Sequence, residues 1–349
     1  MRKKINLYLI LKWLISLIFL IMLYENINFY FLNHFNNVIN SSNYLIIADP
    51  QILGKEFNNC FLDFIAIWDS DRYLYLAYWY AFTKTKPKYV IFLGDLMDQG
   101  SKADNITYNK YVERFQKIFP LYESQGIYVD GDNDVFEINY LPVITNVARF
   151  QNNFPLRDTI SAAPNFCFKI INFLDYQNLY SKSQDTNAEK NNQINIFSTN
   201  STNILLSHMT ILTKDPLLIE QIARIYSPNL ILSGDLHTSR IIYRRIKNSK
   251  VEGTFVQNFE TSISIKFFLS NDQTYIYEIS VPSINYRMGY EKTGIGVLNL
   301  HLNDSNNLVA TYRVIWLPYR FRQLLVYMPL SLLIILFLSK YKFTLKIFK

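Results

Sequence analysis

Apolar and polar positions alternate along the chain in runs of two lengths. Two runs are long, and they lie near the ends: Ile5–Tyr24 (INLYLILKWLISLIFLIMLY) and Leu324–Leu338 (LLVYMPLSLLIILFL). At about 1.5 Å of rise per residue the first is long enough to span a bilayer, with Lys12 snorkelling toward the headgroups. The second is short for a span and draws on its flanks around Phe321 and Tyr341. A membrane-spanning helix is therefore expected at each end, the alternatives being a cleaved signal peptide for the first run and a buried core helix for the second. The runs between them are short, and most read as buried strands: Tyr44–Asp49, Lys88–Asp95, Ile127–Asp132, Asn203–His208 and Leu230–Asp235. Helical stretches fall between them, at Phe57–Thr83, Tyr108–Phe119 and Pro216–Tyr226. Strands dominate afterwards, at Arg240–Ile246, Thr274–Val281, Gly294–Leu302 and Leu308–Trp316. The order favours a layered α/β sandwich over an all-β fold. Gln177–Asn203, rich in Asn, Gln, Ser and Lys, is expected to be a surface loop.

Charge sharpens the reading of the ends. The chain of 349 residues carries a formal net charge of +7. Arg2, Lys3, Lys4 and Lys12 stand at the start, and Lys340, Lys342, Lys346 and Lys349 at the finish, with no acid beside them. Without these eight, 27 of the 35 basic residues face 28 acidic ones, a balance of −1. A basic nucleic-acid face is not supported by that count. Basic ends outside apolar runs instead place both termini on the cytoplasmic side, by the positive-inside rule. The expected division is a transmembrane helix over 1–24, a lumenal domain over 25–320, a second transmembrane helix over 321–339 and a basic cytoplasmic tail over 340–349. With 50% hydrophobic residues a disordered chain is excluded, and two cysteines, Cys60 and Cys167, exclude a disulfide scaffold. Whether those two pair is left open.

The candidate chemistry lies at the ends of the buried strands. Asp49-Pro50-Gln51, Gly94-Asp95-Leu96-Met97-Asp98, Gly131-Asp132-Asn133-Asp134, Ser207-His208 and Gly234-Asp235-Leu236-His237 each follow an apolar strand. One Gly-Asp alone is most simply a turn. Five such endings on parallel strands gather at one sheet edge, where α/β sites form. Carboxylates collected there repel one another unless cations lie between them, and two divalent ions satisfy such a cluster.

This series resembles the calcineurin-like metallophosphoesterases, whose pattern is Asp-x-His, Gly-Asp-x-x-Asp, Gly-Asn-His-Asp, a lone His and Gly-His-x-His. It runs in order over residues 44–240. A finer resemblance is to the membrane-anchored members that remodel glycosylphosphatidylinositol (GPI) anchors. It is carried by Lys88–Pro120, by Ser280–Tyr286 (SVPSINY) and by the layout of the chain. The resemblance implies a two-sheet α/β sandwich flanked by helices and two divalent ions, manganese in those relatives. It implies removal of ethanolamine phosphate from a GPI mannose, with a GPI glycan or GPI-anchored protein as partner. The expected place is the membrane of the endoplasmic reticulum or early secretory pathway, with the catalytic domain in the lumen. By position, Asp49, Gln51 and His237 would hold the first ion. Asp95 would bridge the two, and Asp132, His208 and Asp235 would hold the second. Asp98 would orient a ligand or water.

Several departures from the pattern bear on activity. Gln51 stands where His is usual, Asp132 where Asn is, and Asp235 where His is. The four aspartates at 49, 95, 132 and 235 supply about −4 against the +4 of two divalent ions, which lowers the polarising power of the centre. Asn133 takes the place of the His read as the general acid. An amide donates a hydrogen bond but cannot protonate a leaving alkoxide, and such a loss typically costs about 10²–10⁴ in rate. The alternatives are therefore a catalytically impaired relative that binds a GPI glycan or cargo, and a phosphoesterase with another substrate.

Overall fold

The computed structural model describes residues 7–35, 44–54, 60–136, 143–155, 159–163, 166–184, 202–247, 250–258, 265–269, 275–302 and 308–340. The described chain opens with helix α1 (Leu7–Phe35), then runs β1 (Tyr44–Ile47), α2 (Cys60–Thr85), β2 (Tyr89–Leu93), α3 (Asn105–Ile118) and β3 (Gln125–Val129). A short α4 (Asp132–Val135) and α5 (Ile144–Asn153) lead to β4 (Thr159–Ala163), β5 (Phe166–Ile171), α6 (Phe173–Gln184) and β6 (Thr202–Ser207). Next come α7 (Pro216–Tyr226), β7 (Leu230–Ser233), β8 (Arg240–Lys247), β9 (Lys250–Asn258), β10 (Ile265–Leu269) and β11 (Tyr275–Ser280). Strands β12 (Gly294–Leu302) and β13 (Leu308–Trp316) precede the last helix, α8 (Arg320–Lys340).

The strands form two sheets, ordered β10-β13-β12-β1-β2-β3 and β4-β5-β6-β7-β11-β8-β9. In the first, β1, β2 and β3 are parallel, and β12 joins β1 antiparallel. In the second, β5, β6, β7 and β11 are parallel, and β8 joins β11 antiparallel. Alternate residues of each sheet face a shared core: Tyr44, Ile46, Ile91 and Val129 from one, Phe168, Ile204, Leu206 and Leu232 from the other. Strands β1, β2, β6 and β7 are buried throughout, the pattern of central parallel strands covered on both faces. Helix α7 shows how a segment between strands is fixed locally. Asp215 caps it by accepting from Leu217 N at 2.7 Å, Pro216 starts it, and Leu218, Ile219, Ile222 and Ile225 form its buried face. This is the α/β sandwich expected from the sequence.

Some elements were not expected. The stretch expected to be a loop from Gln177 is helical to Gln184, because Phe173, Tyr176 and Leu179 form an apolar face that becomes buried. Residues 185–201 lie outside the described residues. Strand β9, half polar and glycine-containing, has no alternation that marks it; it is made by pairing with β8. Cys167 is a free cysteine.

The chain divides into two compact units, one of residues 38–317 and one of residues 1–37 with 318–349. In the smaller unit, the described residues of both terminal apolar runs are helical. Among the described residues, however, no helix is long and apolar enough to cross a membrane. This departs from the expected transmembrane helix at each end. Polar groups enter both helices: α1 continues through Glu25 and Asn26 to Phe35, and α8 begins with Arg320, Arg322 and Gln323. Glu25 and Arg320 pair at 2.6 Å, both buried, and Tyr327 Oη donates to the same carboxylate at 2.7 Å.

Candidate metal centre

The site lies just past the C-terminal ends of β1, β2, β3, β6 and β7, where each chain must leave its sheet sharply. Asp49, Gln51, Asp95, Asp235 and His237 all have φ between 38° and 60°, in the left-handed region that non-glycine residues avoid. Strain of this kind persists where the surroundings over-determine it, and it concentrates at functional sites. Two glycines make room. A Cβ at Gly94, whose φ is +82°, would sit 2.6 Å from the His208 ring. A Cβ at Gly131 would run into Asp95. The Gly-Asp endings are thus set by close approach as well as by turning.

Asp49, Asp95 and His208 come together in the interior. Each offers one ligand atom, all within 4.8 Å of one another. They are 0%, 3% and 2% exposed, so water cannot screen their charges. His208 Nδ1 lies 2.9 Å from Leu93 O. A carbonyl only accepts, so Nδ1 carries the proton, and Nε2 turns to Asp132 Oδ1 at 3.2 Å and Asp95 Oδ1 at 3.5 Å. His237 Nδ1 faces Asp49 Oδ2 at 3.4 Å, and Asp235 N donates to Asp49 Oδ1 at 3.3 Å. Gln51 Nε2 donates to Asp95 Oδ2 at 2.8 Å. Asn133 grips the same carboxylate twice, from N to Oδ1 at 3.0 Å and from Nδ2 to Oδ2 at 2.6 Å. Asp98 N–H bonds to Ile52 O at 3.2 Å, which ties the turn after β2 to the turn after β1.

Charge at the centre is unbalanced. Burial pushes Asp95 well above the ordinary carboxylate range; His208 opposes this, and Asp132, Asp134 and Asp49 add to it. Burial also acts upward on Asp132, but the hydrogen bond and charge of His208 hold it down at about 2. His208 is raised, since burial is outweighed by Asp95, Asp132 and Asp49. A cation in the cluster would take over the work those protons do.

The donor set fits a divalent metal. Asp49 Oδ2 and His237 Nδ1 are buried and complete no hydrogen bond, although they face each other. His208 has its second nitrogen fixed on a carbonyl, the usual arrangement behind a histidine ligand. Oxygen and imidazole donors suit Mn²⁺, Mg²⁺ or Zn²⁺. The grouping of Asp49, Asp95 and His208 cuts across the two ligand sets inferred from sequence.

Several residues that shape the centre are not ligand candidates. Asp134, 1% exposed, accepts from Leu96 N and Met97 N at 3.1 Å and from Gly131 N at 3.0 Å, joining the turns that carry Asp95 and Asp132. Ser283 Oγ donates to Asp49 O at 3.0 Å, and Asn285 Nδ2 donates to Pro50 O at 2.9 Å and Gln51 O at 3.1 Å. The SVPSINY stretch therefore holds the Asp49–Gln51 turn in place. Glu278 accepts from Ile211 N at 2.9 Å and Leu212 N at 2.6 Å, and Arg244 Nε donates to Leu212 O at 2.7 Å. These bonds anchor the loop that follows His208. Asp134 lay inside a recognised motif; Glu278 sits mid-strand with no sequence signal.

The family model described as calcineurin-like phosphoesterase matches residues 42–239, from β1 to just past His237. A Caenorhabditis elegans protein named Metallophosphoesterase 1 homolog is 35% identical over 74 residues, 21% of this chain. That match spans only 19% of the relative's length. The crystal structure of Chaetomium thermophilum Vps29 aligns over 79% of this chain and 98% of that one, at 12% identity and a TM-score of 0.24.

Proposed function

The chain belongs to the calcineurin-like phosphoesterase family, and we propose that it is a metal-dependent phosphodiesterase. The observation that carries this is the buried cluster of Asp49, Asp95 and His208 within 4.8 Å, at the ends of three strands from both sheets. Asp49, Asp95, Asp132, His208 and His237 would hold the ions, with Gln51 and Asp235 beside them. Divalent ions bound there supply positive charge that offsets the phosphoryl oxygens and lowers the pKa of an attacking water. The chain's own part is positional. Gln51 and Asn133 fix both oxygens of Asp95, and Leu93 O fixes the His208 ring. Asn133 supplies a hydrogen-bond donor at the rim of the site but no proton for a leaving alkoxide.

The finer reading is removal of ethanolamine phosphate from a GPI mannose in the early secretory pathway, with a GPI glycan as partner. Its support is the resemblance of Lys88–Pro120 and Ser280–Tyr286 to the GPI-remodelling members.

Two phosphodiesters test the chemistry in the presence of Mn²⁺. An activated aryl ester leaves without protonation and reads the metals alone; an alkyl ester also needs an acid. The expected result is cleavage of the aryl ester and slow cleavage of the alkyl one. Asn133→His should raise the alkyl rate by about 10²-fold while changing the aryl rate little. Cleavage of neither ester by metal-loaded protein would end the enzyme reading.

A further inference from the structure

Helix α2 is apolar on two sides. Tyr73, Leu74, Ala77, Tyr78 and Ala81 form its buried side, which packs toward β1 and α3. Phe64, Trp68, Tyr75 and Trp79 point the other way, within an arc of about 60° at 3.6 residues per turn. These four rings are 37–67% exposed. Tyr122, 59% exposed, continues the row, with its ring 5.8 Å from that of Trp79. A helix that is apolar all round is ordinarily covered all round. Single exposed apolar side chains are common, but a contiguous row of rings marks a contact surface.

Charge and shape say what covers it. Trp68 and Tyr75 also wall a cleft of about 340 Å³ between α2 and α3, with Arg72, Arg114 and Lys117 as its cations and Asp71 as its acid. Asp71 is paired with Arg114 at 2.8 Å, and Arg114 also donates to Leu53 O at 2.6 Å. The surplus positive charge therefore falls to Arg72 and Lys117. The Arg72 guanidinium lies over the Trp68 ring at 5.4 Å, and Lys117 is exposed on α3. Trp and Tyr rings beside Arg and Lys are the side chains that settle at a membrane–water boundary. Their apolar bodies enter the acyl edge, and their polar tips and cations meet the headgroups. The row from Phe64 to Trp79 runs about 22 Å along a straight, convex ridge, which suits a plane better than an inserted chain.

We propose that this face of α2 is a peripheral membrane contact. It lays Phe64, Trp68, Tyr75, Trp79 and Tyr122 into the surface of a bilayer that contains anionic phospholipid, with Arg72 and Lys117 on the headgroups. The inference is independent of the reading of the metal centre and of the two terminal helices.

Photolabelling of the full-length chain tests it. Vesicles of phosphatidylcholine, with and without phosphatidylserine, carry a phosphatidylcholine with a diazirine in its acyl chain, and labelled peptides are mapped by mass spectrometry. The readout is local, whatever else holds the chain to the vesicle. Label is expected within residues 64–79 and at Tyr122, and more of it when phosphatidylserine is present. Arg72→Gln with Lys117→Gln should weaken docking on the anionic vesicles by about fivefold for each charge removed. Trp68→Ser with Trp79→Ser should remove the label from Phe64, Tyr75 and Tyr122 as well, since the rings enter together. The same melting temperature in each variant shows that the fold is kept. Label confined to residues 7–35 and 320–340, or label on α2 that neither phosphatidylserine nor either variant changes, would overturn the membrane contact. Dimers in the ultracentrifuge that Trp68→Ser with Trp79→Ser abolishes, without label on α2, would overturn it too and give the face to a second copy of the chain.

Discussion

Asp134 and Glu278 perform one task at the edges of two different sheets. Each is a buried carboxylate that holds no position in the ligand cluster, and each accepts main-chain N–H groups from a turn that carries a ligand candidate. They differ in reach. Asp134 takes its bonds from Leu96, Met97 and Gly131, neighbours in sequence of Asp95 and Asp132. Glu278 takes its bonds from Ile211 and Leu212, three and four residues past His208. The carboxylate edge built from β1, β2 and β3 is cross-tied at the ligands themselves. The edge built from β6 and β7 is tied further out, and His208 is steadied by Leu93 O, borrowed from the first sheet. The first edge should keep its shape with or without an ion, and the second should depend more on what is bound.

The largest effect is expected at the most heavily tied carboxylate of the ligand cluster. Asp95→Asn removes a charge that Gln51 and Asn133 both address, and places an amide N–H among donors. Hydrolysis of an aryl phosphodiester should fall by about 10³-fold, with metal content falling in parallel by elemental analysis. A loss under tenfold would remove Asp95 from the centre.

Glu278 gives the next effect, read as stability against pH. Burial raises its carboxyl from 4.5 to about 7, against the N–H groups of Ile211 and Leu212 and the charge of Lys214. In that window the folded chain holds a proton that the unfolded chain releases. The contribution of Glu278 is therefore most favourable below pH 4.5, and stability declines as pH rises toward 7. The full loss is about 3 kcal/mol on a scale of about 1.4 kcal/mol per pKa unit. Denaturant melts of the native chain and of Glu278→Gln should diverge across that window, with the variant the flatter. Parallel curves would mean that Glu278 does not titrate there.

Asp134→Asn keeps the shape of the clamp and weakens it. As a partner behind the ligands, it should cost ten- to a hundredfold in metal affinity, by the usual scale of about 10–100 for such positions. If Glu278→Gln costs as much, the two edges are equally coupled to the metals and the contrast between them fails.

The difference between the edges also decided what was legible in the sequence. The strands were readable because β1, β2, β6 and β7 are short apolar runs buried on both faces. Most ligand candidates were readable because they follow such a run; Asp132 follows β3, which is buried only in part. Glu278 was not, because nothing local separates a buried acid in β11 from an exposed one in an alternating strand. Asn285 lay in a stretch noticed for its resemblance, but its bonds to Pro50 and Gln51 cross more than 230 residues of chain. The two ends mark the opposite case. Their apolar runs are helical as expected, yet the buried pair of Glu25 and Arg320 links α1 to α8, and pairing of that kind has no local signature.

Asp235 offers the smallest effect and the finest test of the asymmetry. Its main-chain N–H, and not its carboxylate, makes the bond to Asp49 Oδ1 at 3.3 Å. Asp235→Asn keeps that N–H and a side-chain carbonyl oxygen, and removes only a charge at the looser edge. Metal affinity measured by competition with a chelator should fall by about threefold, the scale of a partly exposed charge rather than of a buried ligand. The family pattern places His at this position, so Asp235→His should be tolerated to the same degree. A fall near that of Asp95→Asn would make Asp235 a full ligand of a second ion. The edge after β7 would then hold metal as firmly as the edge after β2 does, and the contrast drawn from Asp134 and Glu278 would describe folding rather than the centre.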